Sequence, residues 1–449
     1  MTPHLTADSI WWNGHLHTGA ALHHAAGTPP TAPPPAAALH LSAAAHSSAA
    51  AHPSAAAHPS AAAHSSTAAH PSTAPHPSAR FQPAVSTHSH SDISEFSLVV
   101  DFPGDTRRLP GTLLPGLVDA HVHSALVDLA TVRAGGIAGV WDLGGEPSTV
   151  AALAADHERR KMPQIRYAGP FLTAPGGYPS DRSWAPAGSW RELRSPADAV
   201  EAVAEAKSLG ATLIKVTAHA GGPLLSPEIM AAVAGEGVPV VVHAEGPGTV
   251  RLALESGASF LAHTPWTEPL DPGLARDCAT RMTWISTLDI HGWGRPTPES
   301  VTAVANLRLF LSYGGHVRYG TDLGNGPLPP AINPREIRLL QSAGMTPHEI
   351  LVAMTADLPL TPSSPSQASA DHTSTRDTHP QISPDASSPS GHPSRTSADA
   401  SSPGGGPLRI SRPLSWVPGG LDLDPGRFAD SLATARVLDD SVHPAVFPR

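Results

Sequence analysis

Apolar and polar positions alternate in a regular pattern from about residue 96 to about residue 358. Short apolar runs are separated there by stretches in which apolar residues recur at helical spacing. This alternation is typical of βα units that build a parallel sheet. It predicts eight strands, at Gly116–Val122, Ile137–Leu143, Gln164–Leu172, Ala211–Thr217, Val238–His243, Ser259–His263, Met282–Leu288 and Val317–Asp322.

Helical patterns fit between these runs. Ser195–Leu209 carries Ala, Val and Lys at helical spacing, and Ser226–Gly235 opens with a Ser-Pro cap. Eight strand–helix units in about 245 residues match the usual size of a (β/α)₈ barrel. We therefore predict an α/β fold, a TIM barrel over residues 114–360.

Both chain ends contribute strand-like runs outside this barrel. They are Ser-Ile-Trp-Trp-Asn-Gly near the start, Ser-Leu-Val-Val-Asp-Phe at 97–102 and Ser-Leu-Ala-Thr-Ala-Arg-Val-Leu at 431–438. We expect residues 1–18, 93–113 and 408–449 to form one small composite β-sandwich domain beside the barrel.

Two segments of low complexity interrupt the pattern, at 19–92 and 361–407. Within the first, histidine recurs every six residues, mostly in the form His-Pro-Ser-Ala-Ala-Ala, at His46, His52, His58, His64, His70 and His76. Histidine-rich tracts can chelate metal, so a non-catalytic metal-binding protein is an alternative of a different class. Pro-Ser beside nearly every histidine favours extended chain without a fixed ligand set. We interpret both segments as disordered insertions.

The composition limits the classes of partner and the cellular setting that we expect for this protein. The net charge is −10 with histidine neutral, and no basic stripe appears, which argues against nucleic acid. The single cysteine, Cys278, excludes an internal disulfide framework and is interpreted as a small apolar filler. The first ten residues do not resemble a signal peptide, and no apolar run approaches the roughly 20 residues that span a bilayer. We expect a cytoplasmic protein that acts on a small molecule, with a homo-oligomer left open.

Polar side chains that can bind metal fall at the carboxyl ends of the predicted strands. In a barrel these ends meet at one mouth. His121 and His123 end the first strand, and their i, i+2 spacing places both on one face. The other candidates lie at the fourth, fifth, sixth and eighth strands: Lys215, His243, His263 and Asp322. Nitrogen and oxygen donors of this kind suit zinc or a similar divalent ion.

Each of these residues taken alone has an ordinary explanation. A single His-x-His often sits at a strand end without metal, and Asp322 could cap a helix. Lys215 is harder to explain, because lysine in a buried strand needs a partner. Six candidate ligands at five strand ends together favour a metal site.

At this point the sequence resembles the amidohydrolase superfamily, in its imidazolonepropionase-like and prolidase-like branch. Leu-Pro-Gly-Leu-Val-Asp-Ala-His-Val-His resembles the first-strand motif, and Tyr-Gly-Thr-Asp the eighth-strand motif. Leu-Ile-Lys, Pro-Val-Val-Val-His-Ala and Ala-Ser-Phe-Leu-Ala-His resemble the fourth, fifth and sixth strands. Asn13-Gly14 and Pro-Gly-Arg-Phe-Ala-Asp at 425–430 are similar to the family's small domain.

The resemblance implies a two-metal hydrolase of carbon–nitrogen bonds in cyclic amides, N-acyl compounds or dipeptides. His121, His123 and Asp322 hold one ion, and His243 and His263 hold the other. A carbamate on Lys215 bridges the two ions, and Asp322 moves the proton of the attacking water. Within the same fold, the alternative is one metal on His121, His123, His243 and Asp322, with Lys215 contacting substrate. A degenerate enzyme is a third alternative.

Residues near the mouth are candidates for substrate contact. Tyr178 stands where relatives often have histidine, and His219 follows the fourth strand. His291 and Trp293 are further loop candidates, for which packing is an equal alternative. Glu245, two residues after His243, does not have the spacing of a deaminase glutamate, so we interpret it as a second-layer or rim residue.

Overall fold

The computed structural model describes most of the predicted barrel and parts of both chain ends. Ala21–His23 forms a strand, so ordered pairing reaches into the segment that was predicted as low complexity from residue 19. The histidine hexads and residues 361–407 lie outside the described residues. The described residues are 4–12, 15–18, 21–23, 98–99, 107–183, 185–355, 408–409 and 414–438.

Eighteen strands occur among the described residues. In chain order they are His4–Trp12 (β1), His15–Thr18 (β2), Ala21–His23 (β3), Leu98–Val99 (β4), Arg107–Leu114 (β5), Val118–Val122 (β6), Gly139–Asp142 (β7), Gln164–Tyr167 (β8), Phe171–Thr173 (β9), Trp190–Glu192 (β10), Ile214–His219 (β11), Val240–Glu245 (β12), Phe260–Leu261 (β13), Thr283–Ile285 (β14), His316–Arg318 (β15), Leu408–Arg409 (β16), Ser415–Val417 (β17) and Arg436–Val437 (β18).

Ten α-helices accompany the strands within the same ranges. They are Leu129–Ala134 (α1), Pro147–Ala155 (α2), Pro196–Ser208 (α3), Pro227–Gly235 (α4), Thr249–Glu255 (α5), Pro272–Arg281 (α6), Pro298–Ser312 (α7), Pro334–Ala343 (α8), Pro347–Thr355 (α9) and Pro425–Leu432 (α10). Single 3₁₀ turns occur at Ser124–Leu126 and Asp289–His291.

A repeated cap explains where several helices begin. Ser195, Ser226 and Asp271 each accept a backbone N–H with the side chain, and proline follows each of them. A cap residue satisfies a free N–H group of the first turn, and proline at the next position loses no helical hydrogen bond. The predicted helices Ser195–Leu209 and Ser226–Gly235 therefore appear as α3 and α4.

The α/β class and the parallel strands are confirmed. One parallel sheet has seven strands in the order β10-β9-β11-β12-β13-β14-β15, and a second has three in the order β6-β7-β8. Each of the eight predicted strands overlaps an observed one. The predicted strand Gln164–Leu172 is split into β8 and β9, because Gly169 has a left-handed φ of +73° and Pro170 has no N–H to pair.

Backbone hydrogen bonds join the two parallel sheets at both sides. On one side, the N–H of Ala120 in β6 donates to Tyr319 at 2.9 Å, and the N–H of His123 donates to Leu323 at 2.8 Å. On the other side, the N–H of Thr212, before β11, donates to Tyr167 in β8 at 3.0 Å. Both margins of the three-stranded sheet, β6 and β8, are therefore hydrogen-bonded to segments next to strands of the seven-stranded sheet.

Apolar side chains from both sheets meet in one interior cluster. It contains ten buried residues: Val118, Ala120, Trp141, Leu143, Ala168, Leu213, Val241, Phe260, Ala262 and Ile285. A larger cluster lies between strands and helices, where the Trp284 and Phe310 rings stack at 3.8 Å between β14 and α7. This interior packing supports the strand ends that carry the candidate site.

The chain ends form one mixed sheet. Its order is β16-β4-β3-β1-β5-β17-β18, with β2 paired to β1. The predicted strand at 431–438 is wrong in its first half: α10 continues to Leu432 and only Arg436–Val437 is extended, because Leu432 is buried on the same helical face as Phe428. The domain boundaries and a two-layered sandwich stay predictions. None of the described helices has the length and apolar character of a membrane span.

Candidate metal centre

Five of the six predicted ligands lie toward or just beyond the carboxyl ends of the parallel strands, whereas Lys215 is the second residue of its strand, because β11 continues to His219. His121 lies in β6, and His123 follows its last residue. Lys215 and His243 lie within β11 and β12. The other two follow short strands: His263 comes two residues after β13, and Asp322 comes four residues after β15.

Three of these residues form a tight group. One ligand atom each from His121, His263 and Asp322 lies within 4.8 Å of the others, and all three residues are buried. His123 adjoins the group, because its Nε2 is 3.1 Å from Asp322 Oδ1, the same distance as His121 Nε2. Together these four side chains form the first corner of the site, and among the described residues they could hold a metal ion.

Backbone carbonyl oxygens orient two imidazoles of the first corner through the ring nitrogen that faces away from Asp322. His121 Nδ1 lies 2.9 Å from the carbonyl oxygen of Ala262, and His123 Nδ1 lies 2.9 Å from that of Gly144. A carbonyl can only accept, so each Nδ1 carries the proton and each Nε2 is left with its lone pair when the ring is neutral. Such support of the remote nitrogen is the usual arrangement behind metal-binding histidines.

Burial decides the charge of most of these histidines. It lowers the pKa of His121 and of His263 well below the ordinary value, so both rings are neutral at neutral pH. Burial also acts on His123, but the adjacent Asp322 outweighs it and raises the pKa of that ring. Burial opposes the charge of Asp322 as well; His121 and His123 overcome it and hold the pKa of the carboxyl well below its usual range.

Asp322 Oδ1 is the atom on which this corner converges. It is buried, and it has no partner with hydrogen-bond geometry among the described residues, although two ring nitrogens lie 3.1 Å away. A neutral His121 presents a lone pair to a carboxylate oxygen there, and two acceptors at that distance repel each other. A cation between them removes the repulsion, and this donor set of imidazole and carboxylate fits zinc or a similar ion.

Two of the four described non-glycine residues with a left-handed φ lie at the same place. Asp322 has a left-handed φ of +59°, and Thr287, whose Oγ1 lies 2.9 Å from His263 Nδ1, has φ of +42°. A residue with a Cβ pays for this conformation, and it persists where the surroundings hold it. Asn325 does so at Asp322, because its side-chain amide donates to Oδ2 at 3.0 Å. The strained backbone at Asp322 and Thr287 therefore directs their side chains toward the first corner.

The second corner comprises Lys215, His219, His243 and Glu245, on β11 and β12. His243 Nε2 lies 2.9 Å from Glu245 Oε2, and His219 Nδ1 lies 3.2 Å from the same oxygen. His243 is thus turned toward a carboxylate that the sequence did not place among the ligands. Tyr178 stacks on His243 at 5.1 Å and lies 5.6 Å from His219, so both predicted substrate residues lie here.

Lys215 is the most buried charged group of this corner, with 1% of its surface exposed. Burial lowers its pKa to about 7, and the charges of Asp322 and Asp142 offset this only in part. Its amine is therefore substantially neutral near pH 7, the form that can react with carbon dioxide. A neutral amine is also a better ligand or nucleophile than an ammonium group.

One aspartate that was not predicted as a site residue, Asp119, holds the first corner in place. Asp119 accepts the N–H groups of His121 and Thr321, each at 3.0 Å, and the Thr321 hydroxyl at 2.6 Å. It therefore ties the first strand to the residue before Asp322. Burial raises the pKa of Asp119 to about 7 despite these bonds. The sequence signal that could have identified Asp119 is its position in the first-strand motif, two residues before His121.

A second support lies under the loop that follows β14. Glu336 accepts the N–H groups of Leu288 at 3.0 Å and Asp289 at 2.8 Å, and Arg335 lies 2.8 Å from the Asp289 carboxylate. The loop carries His291, whose ring stacks on Trp266 at 4.8 Å, and Trp266 lies 5.4 Å from His263. His291 is therefore packed beside the site, whereas the side chain of Trp293 is about half exposed.

No protein-family model matches the sequence, and no curated protein does. Similar solved structures include a protein from Bifidobacterium longum assigned as a prolidase, which is 25% identical with a TM-score of 0.46 over 56% of this chain and 71% of its own. A Xaa-Pro dipeptidase with bound methionine in its active site is 18% identical, with a TM-score of 0.46 over 57% and 78%. The ochratoxinase of A. niger is 18% identical, with a TM-score of 0.46 over 56% and 72%. The chain is thus similar to prolidase-like and amidohydrolase structures.

Proposed function

We propose that the protein is a metal-dependent amidohydrolase that cleaves amide-type carbon–nitrogen bonds of a small molecule. The observation that carries this proposal is the convergence of two imidazole nitrogens on Asp322 Oδ1, a buried oxygen without hydrogen-bond geometry among the described residues. The superfamily assignment and a closed (β/α)₈ barrel belong to the same proposal. They are supported by the sequence motifs and by the bonds that join the parallel sheets on both sides.

The proposed ligand set is the one that the resemblance implies. His121, His123 and Asp322 would hold one divalent ion, and His243 and His263 would hold another, with zinc the favoured metal. Lys215, as a carbamate, would bridge the two. The metal supplies Lewis acidity toward the carbonyl and lowers the pKa of water at the site. For His243 this set requires that the ring leave its contact with Glu245.

Asp322 is the proposed proton-transfer residue. Its carboxylate stays ionised at neutral pH, so it can accept a proton from the attacking water. A carbon–oxygen bond forms and the carbon–nitrogen bond breaks, and the proton passes from Asp322 to the leaving nitrogen. Burial of the corner keeps bulk water away from the carboxylate. Tyr178 and His219, at the second corner, are the proposed substrate contacts.

One observation favours a second version of the same function. Lys215 and His243 are not in the tight group of His121, His263 and Asp322. The competing arrangement is a single metal on His121, His123, His243 and Asp322, with Lys215 contacting substrate. The position of Lys215 outside the tight group supports it, and that of His243 does not.

Metal analysis of the purified full chain separates the two versions. Wild type, Lys215→Ala and His263→Ala are dialysed against zinc-free buffer and their metal content is measured. Near two equivalents in wild type, with a sharp drop in both variants, supports the bridged pair. One equivalent that neither substitution changes contradicts it.

The histidine hexads lie outside the described residues. The alternative function, non-catalytic metal binding by these histidines, needs a separate test. Deleting residues 24–92 removes all six hexad histidines and keeps β3. A hydrolase keeps its tightly bound metal after this deletion, whereas a protein that binds metal through the hexads loses most of it.

A further inference from the structure

An exposed tryptophan lies at the rim of the site, on the loop that follows β14. Trp293 is 49% exposed, although tryptophan side chains bury most of their surface on average. It comes two residues after His291, which packs on Trp266 beside the first corner. Neither the proposed metal set nor the proton transfer by Asp322 uses this side chain.

The backbone of Trp293 is strained, and a buried network holds it. Its φ of +48° lies in the left-handed region, which residues with a Cβ rarely adopt. The N–H of Trp293 donates to the carbonyl oxygen of Asp289 at 2.7 Å. Asp289 is itself fixed by Glu336 and Arg335. Strain that the surroundings maintain is often found at functional sites, and here it occurs at a large apolar side chain that remains half exposed.

The indole of Trp293 lies against the loop that follows Asp322. A Cβ on Gly326 would lie 2.8 Å from Trp293 Nε1 and 2.9 Å from Cζ2, so only glycine permits this contact. The N–H of Asn325 donates to the carbonyl oxygen of Asp322 at 3.0 Å, which closes a turn directly before Gly326. The indole therefore packs one residue beyond a turn that begins at the proposed proton-transfer residue.

A second exposed apolar side chain borders the same loop. Leu126, in the 3₁₀ turn after His123, is 64% exposed. A Cβ on Gly324 would lie 3.3 Å from the Cβ of Leu126. Gly324 and Gly326 are two residues apart, which separates their Cα atoms by about 7 Å at most. Leu126 and Trp293 thus border one short loop beside the metal ligands.

The apolar surface of these two side chains is available to a ligand at the site. Single exposed apolar residues are ordinary on protein surfaces. Leu126 and Trp293 differ from such residues, because both pack on the loop of a proposed catalytic group and one has strained backbone. Small-molecule sites are lined mainly by apolar and aromatic side chains, which gain free energy when the ligand covers them. The pair therefore suits an apolar part of the substrate.

The position of Asp322 indicates which part of the substrate reaches Trp293. In the proposed function Asp322 passes a proton to the leaving nitrogen, so this nitrogen lies within hydrogen-bond reach of the carboxylate at that step. The indole packs on the loop of the same residue, whereas Tyr178 and His219 lie at the second corner. A group carried by the leaving nitrogen is therefore the part of the substrate nearest to Trp293.

We propose that Trp293 is a specificity-determining residue that binds an aromatic ring on the leaving amine, with Leu126 at the edge of the same subsite. The preferred substrates are then amides whose nitrogen carries such a ring. This inference rests on the proposed function, because Asp322 defines where the leaving nitrogen lies. The ring packs on the exposed part of the indole in an offset or edge-to-face arrangement, as aromatic pairs prefer.

Three small amides test the subsite and the side of the bond that it serves. N-benzylacetamide carries a ring on the amine, its isomer N-methyl-2-phenylacetamide carries the ring on the acyl group, and N-methylacetamide has no ring. They are offered to the zinc-loaded wild type, Trp293→Ala, Trp293→Phe and Val301→Ala, a control whose side chain is 62% exposed on α7. We expect wild type to favour N-benzylacetamide over each of the others by about 10-fold in kcat/KM.

The variants distinguish a substrate contact from a structural role. Trp293→Ala brings the ratios of the three amides close to one, chiefly through KM, because a contact made equally in the ground state and the transition state is lost. Trp293→Phe keeps most of the preference, and Val301→Ala keeps all of it. An equal loss on all three amides with unchanged ratios overturns the subsite. A wild-type preference for the acyl-side isomer, or no preference, overturns it as well.

Binding of the leaving amines separates this inference from the proposed function. Benzylamine and methylamine cannot be hydrolysed, so titration calorimetry with the zinc-loaded full chain reads the subsite without turnover. We expect benzylamine to bind wild type about 10-fold more tightly than methylamine, and Trp293→Ala to lose this preference. If the preference is present while the chain hydrolyses no amide, the hydrolase proposal fails and the aromatic subsite stands. Equal binding of the two amines by wild type overturns the subsite even if hydrolysis occurs.

Discussion

The two corners of the site differ in what their polar groups face. In the first corner, His121 and His123 turn their Nε2 atoms to Asp322, and carbonyl oxygens hold both rings from behind. In the second corner, His243 turns its Nε2 to Glu245, which has no role in the proposed metal set. In the first corner two imidazoles therefore face a carboxylate oxygen that a cation could bind. In the second corner an imidazole faces a carboxylate that lies outside the proposed metal set.

The two corners also differ in the hydrogen bonds that hold their strands in place. The first corner is tied across strands by Asp119, which bonds the backbone of His121 and Thr321. At the second corner, β11 and β12 pair in register from Ile214 to His219, and regular sheet bonds provide the support. Strained backbone is found at Asp322 and Thr287 and is absent from β11 and β12 among the described residues. Strained backbone thus occurs at one proposed metal ligand, Asp322, and at Thr287, which contacts another, His263.

The largest expected effect comes from removing the charge on which the first corner converges. Asp322→Asn keeps the shape of the side chain and loses the anionic oxygen, so we expect amide hydrolysis to fall by about 10³- to 10⁴-fold, with weaker zinc binding. Steady-state kinetics and zinc titration measure both. Asn325→Ala is the matched control, because it removes only the bond to Oδ2. Equal losses in both variants would contradict a special role for the carboxylate.

The next effect tests the tie between the strands. Asp119→Ala leaves three buried donors without their acceptor, so we expect the free energy of unfolding to fall by about 4 kcal/mol. Chemical denaturation measures it. Asp128→Ala, which removes an exposed cap of α1, serves as the control and should cost about 1 kcal/mol. Comparable losses for the two would show that the tie adds nothing beyond a cap.

The stability of the protein as a function of pH tests the buried carboxyl of Glu336, which supports the loop after β14. Burial raises the pKa of Glu336 to about 7 from an ordinary 4.5. The folded chain therefore holds more protons than the unfolded chain between these values, and this residue makes stability fall as pH rises through that window, by about 3 kcal/mol. Glu336→Gln should flatten this part of the stability profile. An unchanged slope in the variant would contradict the assignment.

The smallest expected effect concerns the hydroxyl behind His263. Thr287→Val keeps the branched shape and removes the oxygen that lies 2.9 Å from His263 Nδ1, so zinc affinity should weaken by about 10-fold. Competition with a chelator measures the Kd. The control is Thr280→Val, since Thr280 is exposed and bonds only within its own helix. A Kd that moves equally in both variants would remove Thr287 from the support of the metal site.

Much of the fold could be predicted because apolar runs alternate with helical patterns. Each of the eight predicted strands overlaps an observed strand, and helices such as α3 begin at a Ser-Pro pair visible in the sequence. The split between β8 and β9 followed from Gly169-Pro170, a signal that was present and was not used. Part of the predicted strand at 431–438 is helical, because Leu432 is buried on the same face of α10 as Phe428.

The site was less predictable, for a physical reason. Strand ends place side chains at one mouth, and this suffices to name His121 and Asp322. It does not say which way a ring turns: His243 faces Glu245 through a rotation about side-chain bonds that no spacing encodes. The support from Glu336 likewise joins residues about 47 positions apart. Such contacts depend on tertiary packing, so only the structure displays them.

The most direct measurement is anomalous diffraction at the zinc edge from crystals of the full chain grown with zinc. The central claim predicts a peak at the first corner, within about 2.0–2.2 Å of His121 Nε2, His123 Nε2 and a carboxylate oxygen of Asp322. Zinc found only on the histidine hexads, or only between His219 and Glu245, would contradict it.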